Sequence, residues 1–267
     1  MKEQHFAHKK SLGQNFLEDE GLLLRLVEFS GLKEGETVLE IGAGMGALTK
    51  FLAEKAGRLI SVELDSSLLG FIRLAAEKNK NFELINEDIM RLDIEGLFKE
   101  QERPRLIANL PYNITSELME KLLLSSIDFK SISVMLQKEA ALRIVAGPGD
   151  EGYCPLSILA KIKADFKGSI EVSRDMFTPK PKVDSLFINL EYKEALLSND
   201  ELKGFYRFLK RCFLNKRKTL ANNCMNYGNK SKAEIEEILL SLGKNRLARS
   251  EEMSLEDFMQ LKKALES

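Results

Sequence analysis

The sequence predicts an α/β protein: a parallel sheet covered by helices on both faces, followed by a small all-helical unit. Three observations carry that prediction. Short apolar runs alternate with helical stretches through the first two-thirds of the chain. A glycine-rich turn, Gly42 to Gly46, joins the first of those runs to a helix. From about Asn199 onward the pattern is helical alone. Strand–helix alternation needs parallel neighbours linked by crossover helices, and ligands of such sheets bind at the carboxyl ends of the strands.

The elements follow in order. Thr37–Gly42 (TVLEIG) reads as the first buried strand. Arg58–Leu64, Phe82–Asn86, Arg105–Leu110 and Ser131–Gln137 read the same way. Between them lie helical segments such as ALTKFLAEK and SSLLGFIRLAAEK. In the latter, Leu68, Leu69, Ile72, Leu74, Ala75 and Ala76 suit one broad apolar face. After Gly147-Pro148-Gly149 a helix is expected around Leu156–Lys163, then strands near Gly168–Val172 and at Ser185–Tyr192. Between those strands sits the proline-punctuated loop FTPKPKVDS. Ser254 and Asp257 open the last helix with a capping-box pattern. The domain boundary falls near Leu196–Asp200, giving units 1–198 and 199–267.

Composition narrows the function. Of 267 residues, 44% are hydrophobic and 30% charged, an ordinary globular balance. Apolar runs are short and broken by charge, and the N-terminus lacks the apolar core of a signal peptide, so a cytoplasmic protein is expected. Cys154, Cys212 and Cys224 are scattered and form no CxxC pair, which suggests neither a disulfide framework nor a metal site. The two histidines, His5 and His8, lie near the terminus. An enzyme of this composition works without histidine as its base. The formal net charge of −1 hides an asymmetry: from Lys203 to Lys232 there is no Asp or Glu. A one-sided basic block attracts a phosphate backbone, although a solvated helix face is the plainer alternative.

The glycine turn points to a ligand. Gly42, Gly44 and Gly46 allow a tight turn and close backbone approach. Their G-x-G-x-G spacing differs from the dinucleotide pattern, and Glu40 before them would repel a pyrophosphate. A cationic ligand suits that carboxylate. Glu63 follows about 20 residues later, at the end of the second strand, where a carboxylate accepts ribose hydroxyls. Asp88, after the third strand, can accept from an adenine amine, or simply cap a turn. Adenine, ribose and a positive centre together describe S-adenosylmethionine.

The stretch IANLPYNITS, Ile107–Ser116, runs an apolar strand into Asn-Leu-Pro-Tyr. Proline cannot donate to a sheet and restricts its predecessor. With GQNFL, EIGAGMGALT, LQKEAALRIVAGPGD, FTPKPKVDS and CFLNKRKTL, this stretch makes the chain resemble the bacterial small-subunit rRNA adenine N6,N6-dimethyltransferases, whose loss confers kasugamycin resistance. The resemblance covers nearly the whole chain, and NLPY and PKVDS are its most specific parts. One departure is GYCPLSI, where Cys154 and Pro155 stand in a segment that has Tyr-Gly in many members.

The resemblance implies a Rossmann-like methyltransferase sheet with a helical C-terminal domain that binds RNA. It implies S-adenosylmethionine as donor and two adjacent adenines in a hairpin loop near the 3′ end of 16S rRNA as acceptor. The partner is an assembling small subunit; neither metal nor membrane is implied, and a monomer is expected. By motif match, Gln14, Asn15 and Leu17 help hold the cofactor. Gly42 and Gly44 line it, Glu63 meets its ribose, Asp88 its adenine amine, and Asn109 borders the methyl group. Asn109 and the Leu110 carbonyl would accept hydrogen bonds from adenine N6, Pro111 would direct that carbonyl, and Tyr112 would stack on the base. Phe177 would close its other face. Lys180, Lys182, Arg211, Lys216, Arg217 and Lys218 would hold the RNA backbone, with Arg143 added or merely solvent-facing. Three rivals stand beside this reading. They are an enzyme methylating adenine in 23S rRNA, a non-catalytic rRNA assembly factor on the same fold, and, more distantly, a nicotinamide dehydrogenase.

Overall fold

The computed structural model describes residues 15–99 and 102–267. It divides into two compact units, one running to Ala141 and resuming at Ala164–Lys193, the other formed by Leu142–Lys163 and Glu194–Ser267.

In the first unit, β1 (Phe16–Leu17) precedes α1 (Glu20–Phe29), which is capped by the Asp19 carboxylate. Then β2 (Thr37–Ile41), α2 (Ala47–Lys55), β3 (Arg58–Val62), α3 (Leu69–Ala75) and β4 (Phe82–Ile85) alternate as expected. They are followed by β5 (Arg105–Asn109), α4 (Thr115–Leu124), β6 (Ser131–Gln137) and α5 (Lys138–Val145). After α6 (Pro155–Lys163), which belongs to the second unit, the chain returns to the first with β7 (Ala164–Val172), β8 (Phe177–Thr178) and β9 (Ser185–Tyr192).

Seven strands form one sheet in the order β4-β3-β2-β5-β6-β9-β7. The first five run parallel, and β9 is antiparallel to both its neighbours. The chain builds outward from β2 to β4, then returns to place β5 on the other side of β2. That reversal of strand order is where such sheets open a ligand crevice. Leu39, Leu59, Ile60, Leu106 and Ile107 are fully buried, as strands covered on both faces require. A second, two-stranded ribbon pairs β1 with β8.

One expected face is narrower than the sequence suggested. Leu68, Ile72 and Ala76 are buried, but Leu74 is 67% exposed. Six residues after Leu68, at 100° per residue, Leu74 points away from the core.

The second unit adds α7 (Asn199–Cys212), α8 (Leu220–Cys224), α9 (Lys232–Ser241) and α10 (Leu255–Glu266). Capping boxes at Ser198/Glu201 and Ser254/Asp257 satisfy the first N–H groups of α7 and α10. The sequence placed residues 142–163 with the first domain, but here they belong to the second unit. The Tyr153 ring packs 5.9 Å from Phe213, and its hydroxyl donates to the Met253 carbonyl at 3.0 Å. Pro155 is the first residue of α6, a position without need of an N–H, so the GYCP departure starts a helix without strain. The fold also joins two cysteines that look scattered in sequence. Cys212 and Cys224 are free and fully buried, with sulfurs 3.4 Å apart.

At the amino ends of β2, β5 and β6, Glu36 accepts from Arg105 Nε at 2.6 Å and from Lys130 Nζ at 2.9 Å. Arg105 also reaches the Ser30 carbonyl and Ser131 Oγ. Burial raises the Glu36 pKa, but the bonds from Arg105, the Lys33 N–H and Lys130 outweigh it and bring it from 4.5 down to about 2. A depressed carboxylate stabilises the fold fully above its unfolded value and loses that contribution as pH falls toward its folded one. Acid titration of urea stability should lose about 3 kcal/mol between pH 4.5 and pH 2 through this group. Glu36→Gln should remove most of that pH dependence and lower stability at pH 7.

Candidate functional site

The carboxyl ends of the parallel strands surround a cavity of about 310 Å³. The residues that build it come from the first unit.

The glycine turn forms its floor. Gly42 and Gly44 have φ of +72° and +59°, a region costly for side-chain-bearing residues. Close approach adds to this. A Cβ on Gly42 would lie 3.4 Å from the Asn109 carbonyl oxygen and the Pro111 ring, and one on Gly44 would lie 3.0 Å from the Phe16 ring.

Two carboxylates face the cavity. Glu63 is 7% exposed; its oxygens accept from the Gly44 N–H at 2.9 Å and the Asp65 N–H at 2.8 Å. Burial raises its pKa, and those two N–H groups oppose the rise without cancelling it. Glu40 is 1% exposed, and its Oε2 accepts from Thr49 Oγ1 at 2.7 Å and Ser61 Oγ at 2.6 Å. Burial dominates there, the hydroxyls lower the value, and the neighbouring Glu63 charge raises it, for a net pKa of about 7. Two buried carboxylates in one wall make the cavity favourable to a cation.

Asp88 also lines the cavity, with Oδ1 accepting from the Met90 N–H at 2.9 Å. The turn-cap reading thus holds for this residue, one oxygen capping the turn, and the residue also stands on the cavity wall. Lys121 on α4 fixes the same loop. Its three ammonium protons go to the carbonyls of Ile89, Met90 and Leu92 at 2.8, 3.1 and 2.7 Å. Leu64, Ile89 and Met90 supply apolar wall beside Asp88. The sequence offered no signal for Lys121, whose partners lie about 30 residues away.

The NLPY loop closes the other side. Asn109 Nδ2 donates to the Asn15 carbonyl at 3.2 Å. A carbonyl partner settles which end of the amide is nitrogen, so the side-chain oxygen is left as an acceptor. The Leu110 N–H extends the ladder to the Met135 carbonyl at 3.2 Å. Among the described residues, no hydrogen bond takes up Asn109 Oδ1 or the Leu110 carbonyl. The Pro111 carbonyl accepts from Oγ1 of Thr115, the first residue of α4, at 3.1 Å. Tyr112 is half-buried on the cavity wall, its hydroxyl 2.8 Å from Ser185 Oγ. Burial raises its phenol pKa against the opposing Ser185 bond.

Asn15, Leu17, Gly42, Gly44, Glu63, Asp88, Asn109, Leu110, Pro111 and Tyr112 therefore share one cavity. Gln14 lies outside the described residues. Phe177 departs from its expected place: it is 3% exposed and belongs to the core cluster that includes Leu17 and Leu23. The cause is β8, whose pairing with β1 sets Phe177 opposite Leu17 and turns its ring inward. Phe187 of β9, not anticipated, lines the cavity instead.

The expected RNA-contacting residues are all at the surface. Lys180 and Lys182 are exposed on the first unit, Lys180 ion-paired with Asp175. Arg143, Arg211, Lys216, Arg217 and Lys218 are exposed on the second. Asn215 shapes the basic turn, its side chain accepting from the Arg217 N–H and its carbonyl from the Lys218 N–H. The buried Asn223 ties that turn down, donating to the carbonyls of Cys212 and Asn215. Among the described residues, no helix is long and apolar enough to cross a membrane.

Comparison with known proteins gives these features a context. The family model described as ribosomal RNA adenine dimethylase matches residues 5–266. The ribosomal RNA small subunit methyltransferase A of Shouchella clausii is 37% identical over 274 residues, covering 100% of this chain and 93% of that protein. That of Levilactobacillus brevis is 38% identical, covering 96% and 89%. A crystal structure of a dimethyladenosine transferase from Plasmodium falciparum superposes with a TM-score of 0.76 at 29% identity, covering 92% of this chain and 95% of that one. The 23S rRNA methyltransferase ErmE gives 0.71 at 25% identity, with coverage of 95% and 100%.

Lys121→Met should destabilise the first unit by at least about 2 kcal/mol, since three charge-assisted bonds go and three carbonyls lose a partner. Hydrogen exchange at residues 88–92 should quicken; unchanged protection there would show that the ammonium does not hold the loop.

Proposed function

The chain belongs to the ribosomal RNA adenine dimethylase family, and on that premise we propose that it transfers methyl groups from S-adenosylmethionine to N6 of two adjacent adenines in the 3′-terminal hairpin loop of 16S rRNA. The substrate is the assembling small subunit, met by a monomer in the cytoplasm. The observation that carries the reading is the pairing, in one cavity, of a cation-favouring carboxylate wall with two carbonyl oxygens on the NLPY loop.

The residues present fit the cofactor. Among the described residues no cation stands beside the buried Glu40 carboxylate, and Glu63 and Asp88 on the same wall would accept from the ribose and the adenine amine. Gly42 and Gly44 leave the floor open, while Asn15 and Leu17 cover it, with Gln14 proposed beside them. When bound, S-adenosylmethionine supplies an electrophilic methyl on a sulfonium.

The chain's own part is to prepare the acceptor nitrogen. The lone pair of adenine N6 is delocalised into the ring, so the nitrogen is a poor nucleophile. Asn109 Oδ1 and the Leu110 carbonyl accept its two hydrogens and draw the lone pair out of conjugation. Positive charge grows on that nitrogen in the transition state, and fixed acceptor dipoles stabilise it there more than in the ground state. Proximity supplies much of the remainder. The methylated nitrogen is acidic and loses its proton to water, so no histidine is required. Tyr112 gives the base a stacking surface once it leaves its own stack, worth about 1–3 kcal/mol. Phe177 would serve the opposite face only after leaving the core. The basic turn at Lys216–Lys218, with Arg211, Arg143, Lys180 and Lys182, holds phosphates, which position the RNA without reading its sequence.

Parallel methylation of isolated 30S and 50S particles tests the reading. Label in the small subunit at two adjacent adenines is expected; label confined to the large subunit would favour the 23S alternative, and none in either would favour a non-catalytic factor. Asn109→Ala should lower kcat by more than about tenfold with little change in cofactor Kd; equal turnover would remove the acceptor role. Neutralising Lys216, Arg217 and Lys218 together should weaken particle binding and flatten its salt dependence. An unaltered slope would mean that this turn contacts no phosphate.

A further inference from the structure

Ser185 is the first residue of β9 and is fully buried. Its register partners are Gln137 at the end of β6 and Val172 at the end of β7. Because β9 runs antiparallel to β6, its first residues lie at the same edge of the sheet as the carboxyl ends of the parallel strands. Phe187, two residues on, shares that edge opposite Met135 and lines the cavity. The Ser185 hydroxyl lies 2.8 Å from the Tyr112 hydroxyl.

We infer that Ser185 is a positioning residue for the acceptor: its hydroxyl holds the Tyr112 ring in the plane on which the target adenine stacks. This rests on the proposed function above. A tyrosine ring is set by two torsions at its root. With a bond at its far end, it is fixed at both ends and cannot swing toward water. Pro111 restrains the chain at the root and Ser185 restrains the tip. A base stacked on a fixed ring presents N6 to Asn109 Oδ1 and the Leu110 carbonyl in one orientation. On a loose ring it samples many. Without the serine hydroxyl, the half-buried phenol loses its partner and the ring turns to find another. Neither hydroxyl is among the groups proposed to hold the cofactor, so the loss should fall on turnover.

Wild type, Ser185→Ala, Tyr112→Phe, the double variant and Ser185→Thr would be compared in methyl transfer to undermethylated small subunits. Cofactor Kd and tyrosine ¹³Cζ spectra would be recorded on the same proteins. The Tyr112 resonance is the one that vanishes in Tyr112→Phe, and Ser185→Ala should move it. Ser185→Ala and Tyr112→Phe should each lower kcat about tenfold, with cofactor Kd held within about twofold. The double variant should be no slower than either single one, and Ser185→Thr should recover most of the rate, because a shared bond can be lost only once. Losses that multiply, or full turnover in Ser185→Ala beside an active wild type, would overturn the inference alone. Should Ser185→Ala fail to fold, full turnover in Tyr112→Phe overturns it equally. No transfer by the wild type would overturn the proposed function and this inference with it.

Discussion

A carboxylate buried at the mouth of β2 sets the terms for the rest of the site. Glu40 is almost wholly removed from water, and its two hydroxyl partners do not compensate, so its pKa is pushed up to about 7. Desolvation disfavours its charge, and Glu63 at the end of β3 adds repulsion. The neighbouring backbone is arranged around this pair. The glycine turn brings the Gly44 N–H to Glu63, and the Asp65 N–H approaches from the other side. The same turn runs close to Asn109 and Pro111 and holds Gly42 at φ +72°, a conformation that favours glycine. A cation in the cavity would offset the cost of both carboxylates, which is why the wall suits a sulfonium and an ammonium better than a phosphate.

The second half of the site is coupled to the first through main-chain geometry. Asn109 ends β5 and donates one amide proton to the Asn15 carbonyl, so Asn15, just before β1, and the NLPY loop are fixed together. That single bond decides the chemistry of the asparagine: its nitrogen is occupied and its oxygen is free to accept. Lys121 extends the coupling, since the helix that begins at the NLPY loop also clamps the loop carrying Asp88. The NLPY loop and the loop carrying Asp88 thus share one helix. Methyl transfer as proposed needs no titrating base; it needs oxygen atoms held in place.

Much of this was legible in the sequence. The five parallel strands lie at the apolar runs, and β2, β3, β5 and β6 are buried along most of their length, as strands covered on both faces require. The glycine turn, Glu63, Asp88 and the NLPY residues were legible because each is a local pattern at a strand end. Other features were not. Leu74 looked like core until the helix phase turned it outward. Phe177 looked like a cavity aromatic until its pairing partner Leu17, about 160 residues earlier in the chain, turned it into the core. Ser185 and Lys121 act through partners far away in sequence, and no spacing rule reports such contacts. The placement of residues 142–163 with the helical unit depended likewise on Tyr153 meeting Phe213 and Met253.

In the proposed function the buried Glu40 carboxylate answers a positive ligand. Calorimetry of S-adenosylmethionine binding at pH 7, in buffers of different ionisation enthalpy, measures the protons released. A cation beside Glu40 lowers its pKa from about 7, so the half-protonated free group must give up its proton on binding. Wild type should release up to about half a proton more than Glu40→Gln and bind more tightly. Equal proton release by the two proteins would contradict it.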